Sequence, residues 1–232
     1  MPHYTHFDDI ATEYDQTIPS HVNAHYLRKR IAFIERNLPS GSILDVGCGT
    51  GLLLNELRTI GYGGFGIDFS LGMLKIAHRR TKGNLALSTS EELPFKSAMF
   101  DAVISIACFH HLIDPELMKS TIREMVRVAK PKGFVLIWDH NATNPYWTFL
   151  MRRVPQDYKR DTRILSRREI VEGLIACGIP SPAISVHFLG FVPDFAPIWL
   201  MPFFRFLERL IERTHFLRRI AAHNVFLIRK EA

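Results

Sequence analysis

The chain has 232 residues, of which 47% are hydrophobic and 22% charged, and it carries a formal net charge of +6. This size and mixture fit one globular domain with its own apolar core and exclude a disordered segment. The longest apolar stretch, near 188–204, is interrupted by Asp194 and three prolines, which excludes a bilayer span. The N-terminus is polar and rich in His and acids, unlike a secretory signal. Cys48, Cys108 and Cys177 show no paired spacing, so reduced thiols in a cytoplasmic protein are expected, with no metal site. The basic balance fits either anionic partners or a solvated basic surface.

Residues 1–20 read as a short arm, and 21–37 as a helix with Val22, Tyr26, Leu27, Ile31 and Ile34 at helical spacing. Pro39-Ser40-Gly41 ends it. A strand is expected at 42–46, a helix at 51–60, a strand at 65–68 and, behind a Ser70 N-cap, a helix at 71–80. Strands at 84–88 and 101–107 flank a loop at 91–99. A helix over 115–129 is closed by Lys130-Pro131-Lys132-Gly133, and a strand follows at 134–139. Ser166 and Glu169 have capping-box spacing for a helix running to Cys177. Segments 183–189 and 223–229 read as the last strands, with a long aromatic-rich insertion between them. This alternation predicts an α/β fold, a doubly wound, mostly parallel seven-stranded sheet, with an N-terminal helical arm and an inserted amphipathic helix before the last strand. Its ligand should lie outside the carboxyl ends of the strands, where Asp45, Asp68 and the segment after Ile106 converge. In this reading 1–40 form an N-terminal arm, 41–140 a ligand-binding core and 141–232 the remaining segments and C-terminal strands.

The most informative run is Ile43-Leu44-Asp45-Val46-Gly47-Cys48-Gly49-Thr50-Gly51. An apolar strand reaches an acid and breaks into three glycines, so a ligand can lie against bare backbone at Gly47, Gly49 and Gly51. A dinucleotide fingerprint needs its third glycine three residues after the second, and that position is Leu52. The Asp45 carboxylate would repel a pyrophosphate and welcome a cation.

The run resembles motif I of the class I S-adenosylmethionine (SAM) dependent methyltransferases, D-x-G-x-G-x-G. The stretch Glu91-Glu92-Leu93-Pro94-Phe95 with Phe100-Asp101 is similar to the Methyltransf_11-like branch, which includes quinone-biosynthesis methyltransferases. So is the arm, from Phe7 through Ala11 to Tyr14-Asp15. The resemblance covers about 5–140. It implies SAM as cofactor, held by Asp45, Gly47, Cys48, Gly49 and Gly51, with Asp68 accepting the ribose hydroxyls. Phe69 and Met73 would pack on the adenine. Thr89 stands where the family has an acid, which leaves Ser90 and Glu91 as the replacement adenine contacts. Ala107 would face the sulfonium. His110 and His111 leave the same strand and are the catalytic candidates, with Tyr14 capping the methionine end. A zinc site at the His pair is disfavoured, because neither Cys nor acid stands at ligand spacing around it.

The acceptor should be decided by 140–165, with His140, Asn141, Asn144, Tyr146, Trp147 and the run Arg152, Arg153, Lys159, Arg160, Arg163, and by 190–219. In the latter, aromatics recur at helical spacing among five arginines, which suits a lid, a dimer interface or a peripheral membrane contact. A small-molecule or lipid-like organic acceptor is expected, and nucleic acid is not, since no RNA-binding module is present. The alternatives are an NAD(P)-dependent Rossmann oxidoreductase and a catalytically silent SAM-binding module.

Overall fold

The computed structural model describes residues 4–150 and 162–231. The expected basic positions Arg152, Arg153, Lys159 and Arg160 lie outside the described residues. Among those described, strands β1 (Ser42–Val46), β2 (Gly63–Asp68), β3 (Asn84–Leu87), β4 (Phe100–Ile106), β5 (Ala129–His140), β6 (Ile184–Leu189) and β7 (His223–Arg229) form one sheet in the order β3-β2-β1-β4-β5-β7-β6. All neighbouring pairs are parallel except those of β7, which runs antiparallel to β5 and β6.

The inner strands are covered on both faces, which is why they read as near-continuous apolar runs. Alternate residues go to opposite cores. Leu44, Val46, Val103, Val135 and Ile137 pack with helices α5 (Pro115–Val128) and α7 (Arg167–Ala176). Ile43, Ile104, Leu136, Trp138 and Val225 pack with α2 (Ser20–Asn37) and α3 (Leu52–Thr59). The same alternation puts Asp45, His140 and His223 on the α2 side, at the strand ends. Because β7 is antiparallel, its first residue, His223, pairs with His140 at the carboxyl end of β5.

The local signals act as expected. Ser70 Oγ accepts the Met73 N–H at 3.1 Å to start α4 (Leu71–Thr81). Both hydrogen bonds of the Ser166–Glu169 capping box form. The helical N-terminal arm consists of a helix, α1 (Tyr4–Ile10), and a 3-10 turn at Tyr14–Gln16 ahead of α2. One segment differs from expectation. Lys130–Gly133 lies inside β5 as an irregularity, because Ala129 already pairs with Phe100 before the register shifts.

The arm is pinned by two acids. Asp8 accepts the Ser70 hydroxyl at 2.6 Å and the Gly72 N–H at 2.7 Å. Asp15 accepts the Thr50 hydroxyl at 2.7 Å and an Arg80 N–H at 2.6 Å. Two further short helices, α6 (Pro145–Leu150) and α8 (Met201–Arg213), flank the C-terminal strands.

Candidate active site

The three glycines of the β1–α3 turn are all left-handed, but they serve different ends. A Cβ on Gly47 would lie 2.9 Å from Cys108 Sγ, and one on Gly51 would lie 3.1 Å from the Ala77 Cα of α4. Those two glycines permit packing. A Cβ on Gly49 would meet nothing within 4 Å among the described residues. Only at the middle glycine, among the described residues of this turn, would a side chain enter open space; Gly47 borders the same space with its backbone while Cys108 packs behind it, and the expectation of bare backbone is corrected for Gly51, over which α4 closes.

That open space belongs to a cavity of about 180 Å³ at the strand carboxyl ends. Of the expected residues it is lined by Tyr14, Asp45, Gly47, Cys48, Gly49, Ala107, His110 and His111. His140 and Trp147 from the acceptor segment join them. Gly51, Asp68, Phe69, Met73, Ser90 and Glu91 do not line it. Asp68 accepts the Gly49 N–H at 2.8 Å and the Ser70 N–H at 2.9 Å, so it ties the glycine loop to the start of α4. Phe69 packs edge-on against Phe7 of the arm, Met73 is buried in α4, and the Ser90 hydroxyl bonds Thr121 Oγ1 at 2.8 Å. Asn141 and Asn144 donate to backbone carbonyls of 219–221 and hold that segment instead of facing the cavity.

The site has residues that sequence reasoning missed. Arg30 of α2 lines the cavity, one turn beyond Tyr26, and its buried Nε–H has no hydrogen-bond partner among the described residues. Burial lowers its pKa, partly offset by Tyr26, Tyr14, Asp194 and Asp45. Asp45 is pushed up to about 7 by burial and by the Asp68 charge, against the pull of Arg30. Periodicity on α2 held a faint signal for Arg30, since position 30 shares the face of Tyr26.

Asp139, at the end of β5, is the second omission. Its Oδ1 accepts His110 Nδ1–H at 2.8 Å and the His140 N–H at 2.6 Å, and its Oδ2 accepts the His110 N–H at 2.9 Å. Burial pushes this carboxylate up, but the His110 charge and hydrogen bond outweigh it and hold the pKa well below the usual range. Local spacing hid this acid, so the argument that no acid flanks the His pair is corrected: His110, Asp139 and His140 offer ligand-type atoms within 4.8 Å of one another. Both Asp139 oxygens are engaged by hydrogen bonds, which makes the group a positioned imidazole–carboxylate pair. With Nδ1–H committed to Asp139, Nε2 is the basic nitrogen of His110.

The remaining wall is aromatic. The His140 ring lies, tilted, 3.9 Å from Trp147 and 4.6 Å from His110, centroid to centroid, and His223 lies 5.6 Å from His140. His223 is buried, and burial drives its pKa well below the usual value. Burial also pushes the Cys108 thiol up to about 12, so it is no nucleophile at neutral pH. Ala107 sits on the wall with φ 55°, held by its N–H to the Trp138 carbonyl at 2.8 Å. A non-glycine residue there stores about 1–3 kcal/mol of strain, a pattern of sites that must present backbone.

Residues 44–137 match a family model described as a methyltransferase domain, Methyltransf_11. Over 160 residues the chain is 32% identical to a demethylmenaquinone methyltransferase of Streptomyces griseus subsp. griseus, covering 64% of this chain and 67% of that one. The chain belongs to the SAM-dependent methyltransferases. The methyltransferase is also 39% identical over 127 residues to a tRNA (carboxymethyluridine(34)-5-O)-methyltransferase of Arabidopsis thaliana. That match covers 53% of this chain and 30% of the plant protein, so the chain spans less than a third of that relative's length. In fold it resembles a SAM-dependent methyltransferase of Thermotoga maritima, with TM-score 0.73 at 19% identity, covering 98% and 99% of the two chains.

The cavity fits the family's cofactor on its own donors. A guanidinium with an orphaned Nε–H and a buried carboxylate line one hollow, as an amino acid's carboxylate and ammonium require. The open backbone at Gly49 adjoins them.

Proposed function

We propose that this methyltransferase moves the SAM methyl group to a small or lipid-like organic acceptor that must lose a proton. One observation carries the reading: Arg30, Asp45 and His110 line the same cavity, and Asp139 holds the His110 ring from behind it. SAM supplies a methyl carbon already activated by a sulfonium. Arg30 would hold the methionine carboxylate, Asp45 the ammonium, and Asp68 the ribose hydroxyls with the lone pairs its backbone bonds leave. Ser90 and Glu91 border the adenine, beside Phe69 and Met73. Tyr14 closes the methionine end from the arm.

His110 Nε2 takes the proton of a phenol, enol or carbon acid as its electron pair turns to the methyl carbon. Asp139 keeps the imidazole in the right tautomer and stabilises the imidazolium that forms. The aromatic wall of His140, Trp147 and His223 suits a flat apolar acceptor and excludes water. The Rossmann oxidoreductase alternative is disfavoured by Leu52 at the third-glycine position.

Calorimetry with SAM, its demethylated product and NADH tests cofactor choice. SAM is expected to bind and NADH not; the reverse would discard the reading. An acceptor screen reading demethylated cofactor should include quinols, phenols and, given the plant relative's substrate, tRNA. Turnover of tRNA alone would overturn the small-acceptor assignment.

A further inference from the structure

The segment 190–220 holds three acids, and all three turn inward. Asp194 lines the cavity and its N–H donates to the Tyr146 hydroxyl at 3.0 Å. Glu208 accepts from His25 at 3.1 Å and is ion-paired with Lys29. Glu212 pairs with Lys29 at 2.6 Å and accepts the Gly190 N–H at 2.7 Å. The helix α8 is thereby fastened to α2 by its own carboxylates.

What remains outside has one sign of charge. Helical spacing puts Phe203, Phe206 and Leu210 together on the outward face, all exposed, with Arg209 and Arg213 along its flank. The chain entering and leaving the helix extends this face. Ile198 is 68% exposed, Trp199 74% and Phe216 77%, with Phe195 beside them and Arg219 exposed at the far end. A cluster of exposed aromatics this large marks an interaction surface. Its occupant must be apolar at the centre and anionic around it.

We propose that this face docks the methyltransferase on an anionic lipid bilayer, with Trp199, Phe203, Phe206 and Phe216 entering the headgroup boundary and Arg209 and Arg213 on the phosphates. The charge pattern selects this partner. A second copy of the same face would set arginine against arginine, whereas a bilayer offers apolar depth beneath negative charge. The face is built apart from the chemistry, yet the Phe195 ring lies 5.9 Å from Tyr146, whose hydroxyl holds the cavity residue Asp194. Docking therefore sets the cavity rim beside the membrane.

Trp199 is a built-in reporter, since Trp138 and Trp147 are buried. The full chain should be titrated with vesicles of phosphatidylcholine alone and of phosphatidylcholine with one quarter phosphatidylglycerol. Blue-shifted tryptophan emission and co-sedimentation are expected with the anionic vesicles at low salt, weakening as salt rises. The double variant Phe203→Ser/Phe206→Ser should lose at least tenfold in partitioning, and Arg209→Glu/Arg213→Glu should lose the preference for phosphatidylglycerol. Unchanged SAM affinity in both variants would show that the fold is intact. Absence of any emission shift or pelleting at low salt overturns the proposal. So does a dimer in sedimentation velocity that the phenylalanine variant dissociates while vesicles go unbound. Loss of SAM binding in the wild type would sink the functional reading but not this one.

Discussion

The cofactor side and the acceptor side of this cavity are built in opposite ways. On the proposed cofactor side, Asp45, Gly47, Cys48 and Gly49 lie in one short run, joined by Arg30 of α2, and part of the surface is backbone: Gly49 open to the cavity, Ala107 held at φ 55°. On the acceptor side the groups are side chains from distant elements. His110 follows β4, Asp139 and His140 end β5, Trp147 lies in α6 and His223 begins β7. A chemically constant ligand can be met by a local motif, whereas a variable acceptor is met by residues that only the sheet brings together.

The comparison breaks most sharply at the His110–Asp139 pair. His110→Ala, and to a lesser degree Asp139→Asn, should lower kcat by about 10²–10⁴-fold with SAM affinity unchanged. A matching loss of SAM affinity in calorimetry would show that the two sides are not separable. The next effect is structural. Burial pushes Glu208 up, but the His25 hydrogen bond and Lys29 hold it down at about 2. Glu208→Gln should therefore cost about 3 kcal/mol in denaturant unfolding. Since its folded pKa is depressed, the wild-type contribution is present above pH ~4.5 and is lost as pH falls toward 2. A variant as stable as wild type at pH 7 would show that α8 is not anchored through this carboxylate.

The glycines sharpen the cofactor side. Gly51→Ala should destabilise the fold by about 1–3 kcal/mol, because its Cβ meets α4 in a left-handed backbone. Gly49→Ala should cost less stability and more SAM affinity; equal thermal shifts and equal affinities would erase the distinction. The smallest effect is a pH dependence. Asp45 has a raised folded pKa of about 7, so its contribution to the free protein's stability is complete below the unfolded value and is lost as pH rises through 7. SAM's ammonium prefers the ionised form, so affinity should rise about tenfold from pH 6 to 8 in the wild type and stay flat in Asp45→Asn. A flat wild-type profile removes Asp45 from the ammonium contact.

Hydrophobic periodicity and turn chemistry were enough for the sheet. They located β1 and β7 to the residue, and the Ser70 and Ser166 caps, because these depend on neighbours within four positions. They did not show how the helical arm docks, because that depends on Asp8 and Asp15 finding partners 35 or more residues away.

Sequence by itself determined the doubly wound sheet, the glycine turn after β1 and the family, since each rests on local pattern: strand, glycine turn, helix. Tertiary structure alone decided that Gly49 is the glycine of the turn with room for a side chain and that Arg30 shares the cavity with Asp45. It alone gave Asp139 to His110, and it turned the acids of α8 inward to leave an apolar, basic face. Those facts depend on contacts between segments far apart in the chain, and such contacts are fixed by the packing of the two faces of the sheet, not by the spacing of residues along it.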